Sequence, residues 1–148
     1  MMRILLLVGI FFATVNLHAA DGLIVMKSAH SVAATLDRFE RTLRARGMTV
    51  FARVDHSAGA AGAGLELRLE QLLIFGNPKL GTLLMQSRPT AGIDLPMKAL
   101  AWKDDSGQVW LAYNDPRYLA ARHGISDRGP VIEKMRRALA SLSKQAAE

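Results

Sequence analysis

Apolar residues recur along the chain with two periods, and the period distinguishes helix from strand. In the segment 31–46 they follow one another at steps of four, three and four, which places four residues on one helix face: Val32, Leu36, Phe39 and Leu43. Ser31 before this run is a favoured N-cap, and Gly47 after it is a typical C-terminal stop. The same period in the last part of the chain predicts a helix that begins near Asp127 to Pro130 and buries four residues: Ile132, Met135, Leu139 and Leu142.

Other segments have the patterns of strands. The segment 22–27 is almost entirely apolar, which predicts a central strand, and 48–55 alternates, which predicts a half-buried strand. The segment 65–75 is expected to be extended, and a Gly/Ala-rich loop, His56–Gly64, precedes it. Two further runs, 97–103 and 108–113, predict a hairpin in which Trp102 faces Trp110.

One stretch at the centre of the chain predicts a buried strand that turns directly into a helix. Leu72–Phe75 is a short apolar run, and Gly76 after it is expected to adopt a backbone conformation that a Cβ would forbid. Asn77 is a favoured N-cap, and Pro78 suits the first helical position. Such a helix start can bind an anion, and Lys79 adds a positive charge beside it. The alternative is a capped helix start that binds nothing.

The order of elements predicts a two-layer α+β domain. Strands adjacent in sequence favour a mainly antiparallel sheet of four to five strands, with helices mostly on one face, in the order β-α-β-β-(α)-β-β-α. Asn114-Asp115-Pro116 ends the last strand and starts a short helix, which Gly124 stops. We expect a single domain over residues 21–148.

The first twenty residues have the three-part pattern of a secretory signal peptide. Arg3 gives a basic start, Ile4–Val15 is apolar and uncharged, and small residues end the segment. Cleavage after residue 19 or 20 is expected, which predicts a periplasmic or secreted protein. The apolar run is shorter than the roughly 20 residues of a spanning helix, and no later stretch is long and apolar enough to span a membrane.

The amino-acid composition excludes several kinds of functional site and partner. The chain has no cysteine, so disulfides, thiolate metal sites and thiol nucleophiles are excluded. Its net charge is +6, and loss of Arg3 with the signal peptide leaves +5. Nucleic acid is not an expected partner, because no base-stacking aromatic residues stand between the basic ones. A homodimer is an open possibility.

Few residues are candidates for catalysis. Three histidines lie at element boundaries, and His56 can act as a general base beside the flexible loop. Asp94 stands in a proline turn, where aspartates usually cap backbone N–H groups. No metal site is predicted from the histidines, which lack close paired spacing. Five methionines are spaced as core residues, although a methionine-lined copper or haem site is an alternative: Met26, Met48, Met85, Met97 and Met135.

Four segments together resemble the bacterial family called domain of unknown function 302. They are Asp55–Ala60, Leu73–Thr82, Asp94-Leu95-Pro96 and Tyr113-Asn114-Asp115-Pro116. The most specific is Phe75-Gly-Asn-Pro-Lys79, and Leu69-Glu70-Gln71 departs from the pattern where a proline often occurs. The resemblance implies a compact α+β fold, similar to one half of the TATA-box-binding protein in strand–helix order, and it implies no settled activity.

These observations lead to three hypotheses. The first is a non-catalytic binding or interaction domain without a cofactor, with a pocket between Gly76–Lys79, His56 and Asp94, and a small anionic ligand. The second is an enzyme that uses His56 as general base, Asp94 to orient it and Lys79 to stabilise negative charge. The third is a haem or copper carrier.

Overall fold

A computed structural model describes residues 22–148, and the predicted signal peptide, 1–20, lies outside the described residues. The described residues contain five strands, which form one antiparallel sheet in the order β1-β5-β4-β3-β2. Their bounds are β1 Leu23–Ser28, β2 Thr49–Asp55, β3 Glu70–Gly76, β4 Met97–Lys103 and β5 Val109–Asn114. The expected antiparallel α+β architecture is therefore confirmed.

Within residues 22–148, five α-helices and one short 3-10 helix connect or cover the strands. The α-helices are α1 Val32–Ala45, α2 His56–Gly62, α3 Pro78–Ser87, α4 Pro116–His123 and α5 Gly129–Ala147, and the 3-10 helix is Pro89–Ile93. Ser31 caps α1 by accepting a hydrogen bond from Ala34 N–H, and Gly47 follows the helix with a φ of +70°. Gly124 ends α4 in the left-handed conformation. Ser31 is thus the N-cap that the sequence predicts, and Gly47 and Gly124 are the predicted C-terminal stops.

The core lies between the sheet and the pair α1 and α5. Helix α1 packs against β2 to β5, and α5 packs against α1, α4 and β1. The predicted apolar faces of both helices are buried, and the ring of Phe39 meets that of Phe75 edge-on at a centroid distance of 5.3 Å. In the hairpin, Trp102 and Trp110 are directly paired and stacked, with centroids 6.4 Å apart.

Two local expectations are wrong. Strand β1 is an edge strand that pairs only with β5 among the described strands; its apolar residues Ile24 and Met26 instead pack on the core. The predicted loop at His56 is helix α2, whose N-terminus Asp55 caps by accepting from Ala58 N–H. Strand β3 begins at Glu70, within the segment 65–75 that is expected to be extended, and Glu70 pairs with Trp102 of β4.

Candidate functional site

A cavity of about 240 Å³ lies at the end of the sheet where β3 turns into α3. Its wall is made by the start of β2, the β3–α3 turn, the residues that lead into β4, and α5. The lining is overwhelmingly apolar and includes Phe51, Phe75, Leu80, Leu95, Pro96 and Leu139. Such a surface favours a ligand with an apolar body, because apolar surface is removed from water when it binds.

The β3–α3 turn is built as the sequence predicts, with one exception. Leu73 and Phe75 are buried, and Asn77 caps α3 with Pro78 at its start. Gly76, however, does not have a positive φ, and a Cβ there would lie 3.5 Å from Pro96 Cβ and 3.6 Å from the Phe51 ring. Those are ordinary contacts, so Gly76 is not required by backbone conformation. It leaves space at the cavity wall between Pro96 and Phe51.

The N–H groups at the start of α3 are already hydrogen-bonded. Lys79 N–H donates to Asn77 Oδ1 at 3.0 Å, and the N–H groups of Leu80 and Gly81 donate to Asn77 O at 3.0 and 2.9 Å. Pro78 has no N–H to offer. An anion at this turn would therefore depend on the ammonium group of Lys79, which is exposed and lies outside the cavity lining.

Asp94 stands next to the cavity residue Leu95 but is held by α4. Its Oδ2 lies 2.6 Å from Nε2 of His123, and its Oδ1 accepts from Arg122 at 3.3 Å. The other ring nitrogen of His123 lies 3.1 Å from Thr90 Oγ1, and the His123 side chain is only 6% exposed. The cluster therefore fastens the 3-10 helix to α4.

The structure does not bring His56 to Asp94. His56 follows β2 at the level of Gln71, whereas Asp94 precedes β4, whose first residue pairs with Phe75. The four positions from Gln71 to Phe75 span about 13 Å along the strand. A general base at His56 oriented by Asp94 is therefore not found, and Gly76 and Asn77 are the predicted site residues that do line the cavity.

The surroundings of His56 are organised by Asp55 instead. Asp55 accepts hydrogen bonds from Ser57 Oγ at 2.6 Å, from Ala58 N–H at 2.8 Å and from Gln71 Nε2 at 2.8 Å. The hydrogen bond from Ser57 and then that from Ala58 lower the pKa of this carboxyl group. At this end of the sheet, Asp55 thus serves as the cap of α2.

Four of the five methionines singled out in the sequence meet at the cavity. They come from four different places in the chain, and all line its wall: Met48, Met85, Met97 and Met135. Their spacing in sequence indicates only burial, so neither their convergence nor that of Phe51 was visible before the strands were placed. Within residues 22–148, no group of three or more histidine, aspartate or glutamate side chains could hold a metal ion. A search of the same residues finds no helix with the length and apolarity to cross a membrane.

His123 is the residue that sequence reasoning missed. It is one of the three histidines at element boundaries: it ends α4, and its Nε2 lies 2.6 Å from Oδ2 of Asp94, twenty-nine residues away in the chain. The proline turn around Asp94 predicted a carboxylate that caps backbone N–H groups, and the sequence carried no signal for a histidine partner on α4.

Three relatives are 50% identical to this chain over 128 residues, which is 86% of the chain. They are named "Fluoride-specific ion channel FluC 1" in Brucella suis biovar 1 (strain 1330) and in Brucella abortus biovar 1 (strain 9-941), and "Fluoride-specific ion channel FluC 2" in Brucella melitensis biotype 1. The match covers 50% of the first and 47% of the other two, so the chain spans about half the length of these relatives.

A solved structure shows the same fold. It is the crystal structure of an uncharacterized conserved protein DUF302 from Bacillus stearothermophilus, with a TM-score of 0.78 and 16% sequence identity. The alignment covers 86% of this chain and 99% of that one. The family described as "Domain of unknown function DUF302" matches residues 24–142. The chain therefore belongs to the domain of unknown function DUF302 family.

Proposed function

We propose that this domain is a non-catalytic binding module, and that its site is the apolar cavity beneath the β3–α3 turn. The cavity itself carries the proposal: about 240 Å³ of space bounded by side chains from the sheet, α3 and α5. Concave, mostly apolar pockets are the usual form of a small-molecule site. His56 lies away from this cavity, and Asp94 is bound to His123, which favours binding over catalysis.

The dimensions and charges define the ligand class. Pockets for drug-sized ligands have volumes of roughly 300–1,000 Å³, so this smaller cavity suits a smaller molecule with an apolar body. Pro78 lines the cavity, and the next residue, Lys79, supplies a positive charge that can pair with an anionic group of the ligand. We therefore propose a small amphipathic anion, such as a medium-chain carboxylate.

Thermal unfolding in the presence of octanoate, octanol and inorganic anions tests this proposal. At about 100 times the dissociation constant, a ligand adds about 2.7 kcal/mol to the free energy of unfolding, or roughly 5–10 °C in Tm at this chain length. We expect octanol and octanoate to raise Tm. Lys79→Gln should reduce the increase in Tm that octanoate causes and leave the increase that octanol causes unchanged. Fluoride belongs among the inorganic anions because of the names of the three relatives.

Gly81→Leu provides a variant that closes the cavity without weakening the fold. A Cβ at Gly81 would lie 3.7 Å from Leu95 Cδ1, and replacing a mid-helix glycine by leucine gains about 1 kcal/mol of helix propensity. We expect a higher Tm that no longer responds to octanol. Gln86→Leu, an exposed change on the same helix outside the lining, should keep the response. If neither octanol nor octanoate changed the Tm of the wild-type protein, the cavity would be refuted as the site. The same conclusion would follow if octanol raised the Tm of Gly81→Leu as much as that of the wild type.

A second candidate is a soft-metal carrier, favoured by the four methionines in the cavity wall. Thioether sulfur is a preferred ligand of Cu(I), and methionine side chains are flexible enough to adjust around an ion. Titration with Ag(I), which has similar ligand preferences, should then saturate at a fixed stoichiometry, and Met85→Leu should lower the affinity. An unchanged affinity in that variant would exclude this reading. Haem is not proposed, because the cavity is smaller than the sites of most drug-sized ligands.

Export is the remaining part of the proposal. The basic start at Arg3, the apolar run Ile4–Val15 and the small residues that follow support a periplasmic or secreted location. Protein recovered from its native compartment should begin at Ala20 or Asp21 when sequenced from its N-terminus. Retention of Met1 in a membrane fraction would show an anchor instead.

A further inference from the structure

The segment Leu65–Leu69, here called the LELRL segment, has the pattern of a strand but no strand partner. Three leucines alternate with Glu66 and Arg68, which is the period of a strand with one apolar face. In the structure the segment lies outside every described helix and strand, and Leu65, Leu67 and Leu69 are 67%, 46% and 53% exposed. Apolar residues exposed close together are a feature of surfaces that bind another chain, whereas single exposed leucines are ordinary.

The backbone of this segment is also left unpaired. Among residues 22–148, no hydrogen bond reaches the backbone N–H or C=O groups of residues 66–68; the ladder with β4 ends where Lys103 N–H donates to Leu69 O at 3.0 Å. Strand β2 has already ended at Asp55, and an open groove separates the segment from the β4–β5 turn. An unpaired strand-like segment is a template for pairing with another chain.

The LELRL segment is complementary to itself. When two copies run antiparallel with Leu67 opposite Leu67, Leu65 faces Leu69 at both ends, and Glu66 faces Arg68 twice. Opposed residues of an antiparallel pair lie on the same face, so leucines meet leucines and each carboxylate meets a guanidinium group. A twofold axis midway between the two Leu67 residues satisfies every contact at once, as a symmetric dimer interface requires.

We propose that two copies of this chain associate through antiparallel pairing of their LELRL segments, centred on Leu67. The charge pattern favours a second copy, since an antiparallel partner must carry an acidic and then a basic residue around a central apolar one, which is the order of Glu66, Leu67 and Arg68 in this segment itself. Arg68 is bonded to Asp105 within the monomer, but both side chains are largely exposed, at 56% and 87%, and exposed ion pairs are weak. Arg68 is therefore available to Glu66 of the second copy.

Charge reversal tests the pairing. Sedimentation velocity of the purified wild-type protein over an about hundredfold concentration range should show a monomer–dimer equilibrium. Glu66→Arg places like charges opposite each other twice, as does Arg68→Glu, so each should weaken association by about tenfold or more. The double variant Glu66→Arg/Arg68→Glu should restore the dimer, and an equimolar mixture of the two single variants should form a mixed dimer. Arg41→Glu, an exposed charge reversal on α1, is the matched control and should leave association unchanged.

Cysteine cross-linking tests the register, and the absence of native cysteine makes the experiment clean. Leu67→Cys places two thiols opposite each other across the twofold axis, within reach of a disulfide after small adjustment. Leu65→Cys places its two thiols four positions apart, about 14 Å, and should not cross-link under the same mild oxidation.

Three results would overturn the proposal. The first is a protein that is monomeric at every concentration. The second is a dimer that both single charge reversals leave intact, which would place the interface on another surface such as the open face of the sheet. The third is cross-linking of Leu65→Cys that equals or exceeds that of Leu67→Cys, which would exclude this register.

Discussion

Asp104 is the residue that organises the turn between β4 and β5. Its Oδ1 accepts hydrogen bonds from Ser106 N–H and Oγ and from Gln108 N–H, at 2.9, 2.7 and 2.9 Å. Its Oδ2 accepts from Trp110 Nε1 at 2.7 Å. The hydrogen bond from Trp110, followed by that from Ser106, lowers the pKa of Asp104 to about 2. The hairpin that the sequence predicted is thus fastened by a carboxylate that must be ionised.

This pKa predicts how stability changes with acid. Because the pKa of Asp104 in the folded protein is below its ordinary value of 3.8, the stability that its ionised form contributes is complete above that value. The contribution is lost as pH falls from about 4 towards 2. Asp104→Asn should lower the urea midpoint at pH 5 and approach the wild-type midpoint at pH 2. Asp105→Asn, on an 87% exposed neighbour, should not show this convergence. Parallel pH profiles for wild type and Asp104→Asn would contradict the prediction.

Helix α1 shows how an element divides between core and solvent. Phe39 is fully buried against Phe75, whereas Arg41 is exposed two positions later. Phe39→Ala should lower the free energy of unfolding by roughly 3–5 kcal/mol, because a buried ring is lost and a cavity remains. Arg41→Ala should change it by less than about 0.5 kcal/mol. Urea denaturation of both variants measures the difference, and equal midpoints would mean that this face of α1 does not hold the core.

The predictability of each element follows from the kind of signal that specifies it. Helices α1 and α3 were predicted because Ser31 and Asn77 are capping residues next to apolar runs, and both act as caps in the structure. Helix α2 was not predicted, because a run of glycine and alanine lacks the large apolar residues whose spacing indicates a helix. It is specified by the Asp55 cap and by the hydrogen bond from Leu65 N–H to Ala60 O, which a periodicity analysis does not detect.

At the scale of the whole molecule, the fold was predictable and the candidate site was only partly so. The order of strands and helices, with the family resemblance, gave the antiparallel α+β class. The placement of β1 at the edge depends on its pairing with β5, for which Ile24 and Tyr113 carry no local signal. For the same reason, the cavity methionines and the His123–Asp94 pair became visible only when distant segments were placed side by side.

The pairing of β1 with β5 also sets the order in which the protein can fold. Strand β1 is synthesised first, yet its strand partner emerges from the ribosome about ninety residues later. The hydrogen-bond partner of the end of β1 is synthesised even later. Ser28 Oγ donates to Ala147 O across 119 residues, and Ala29 N–H donates to the same oxygen at 2.8 Å. Contacts so distant in sequence slow folding and leave partly made chains without a finished core. A nascent chain of this topology therefore cannot complete the pairing of β1 and the contacts of its end until residues as far along the chain as Ala147 have been synthesised.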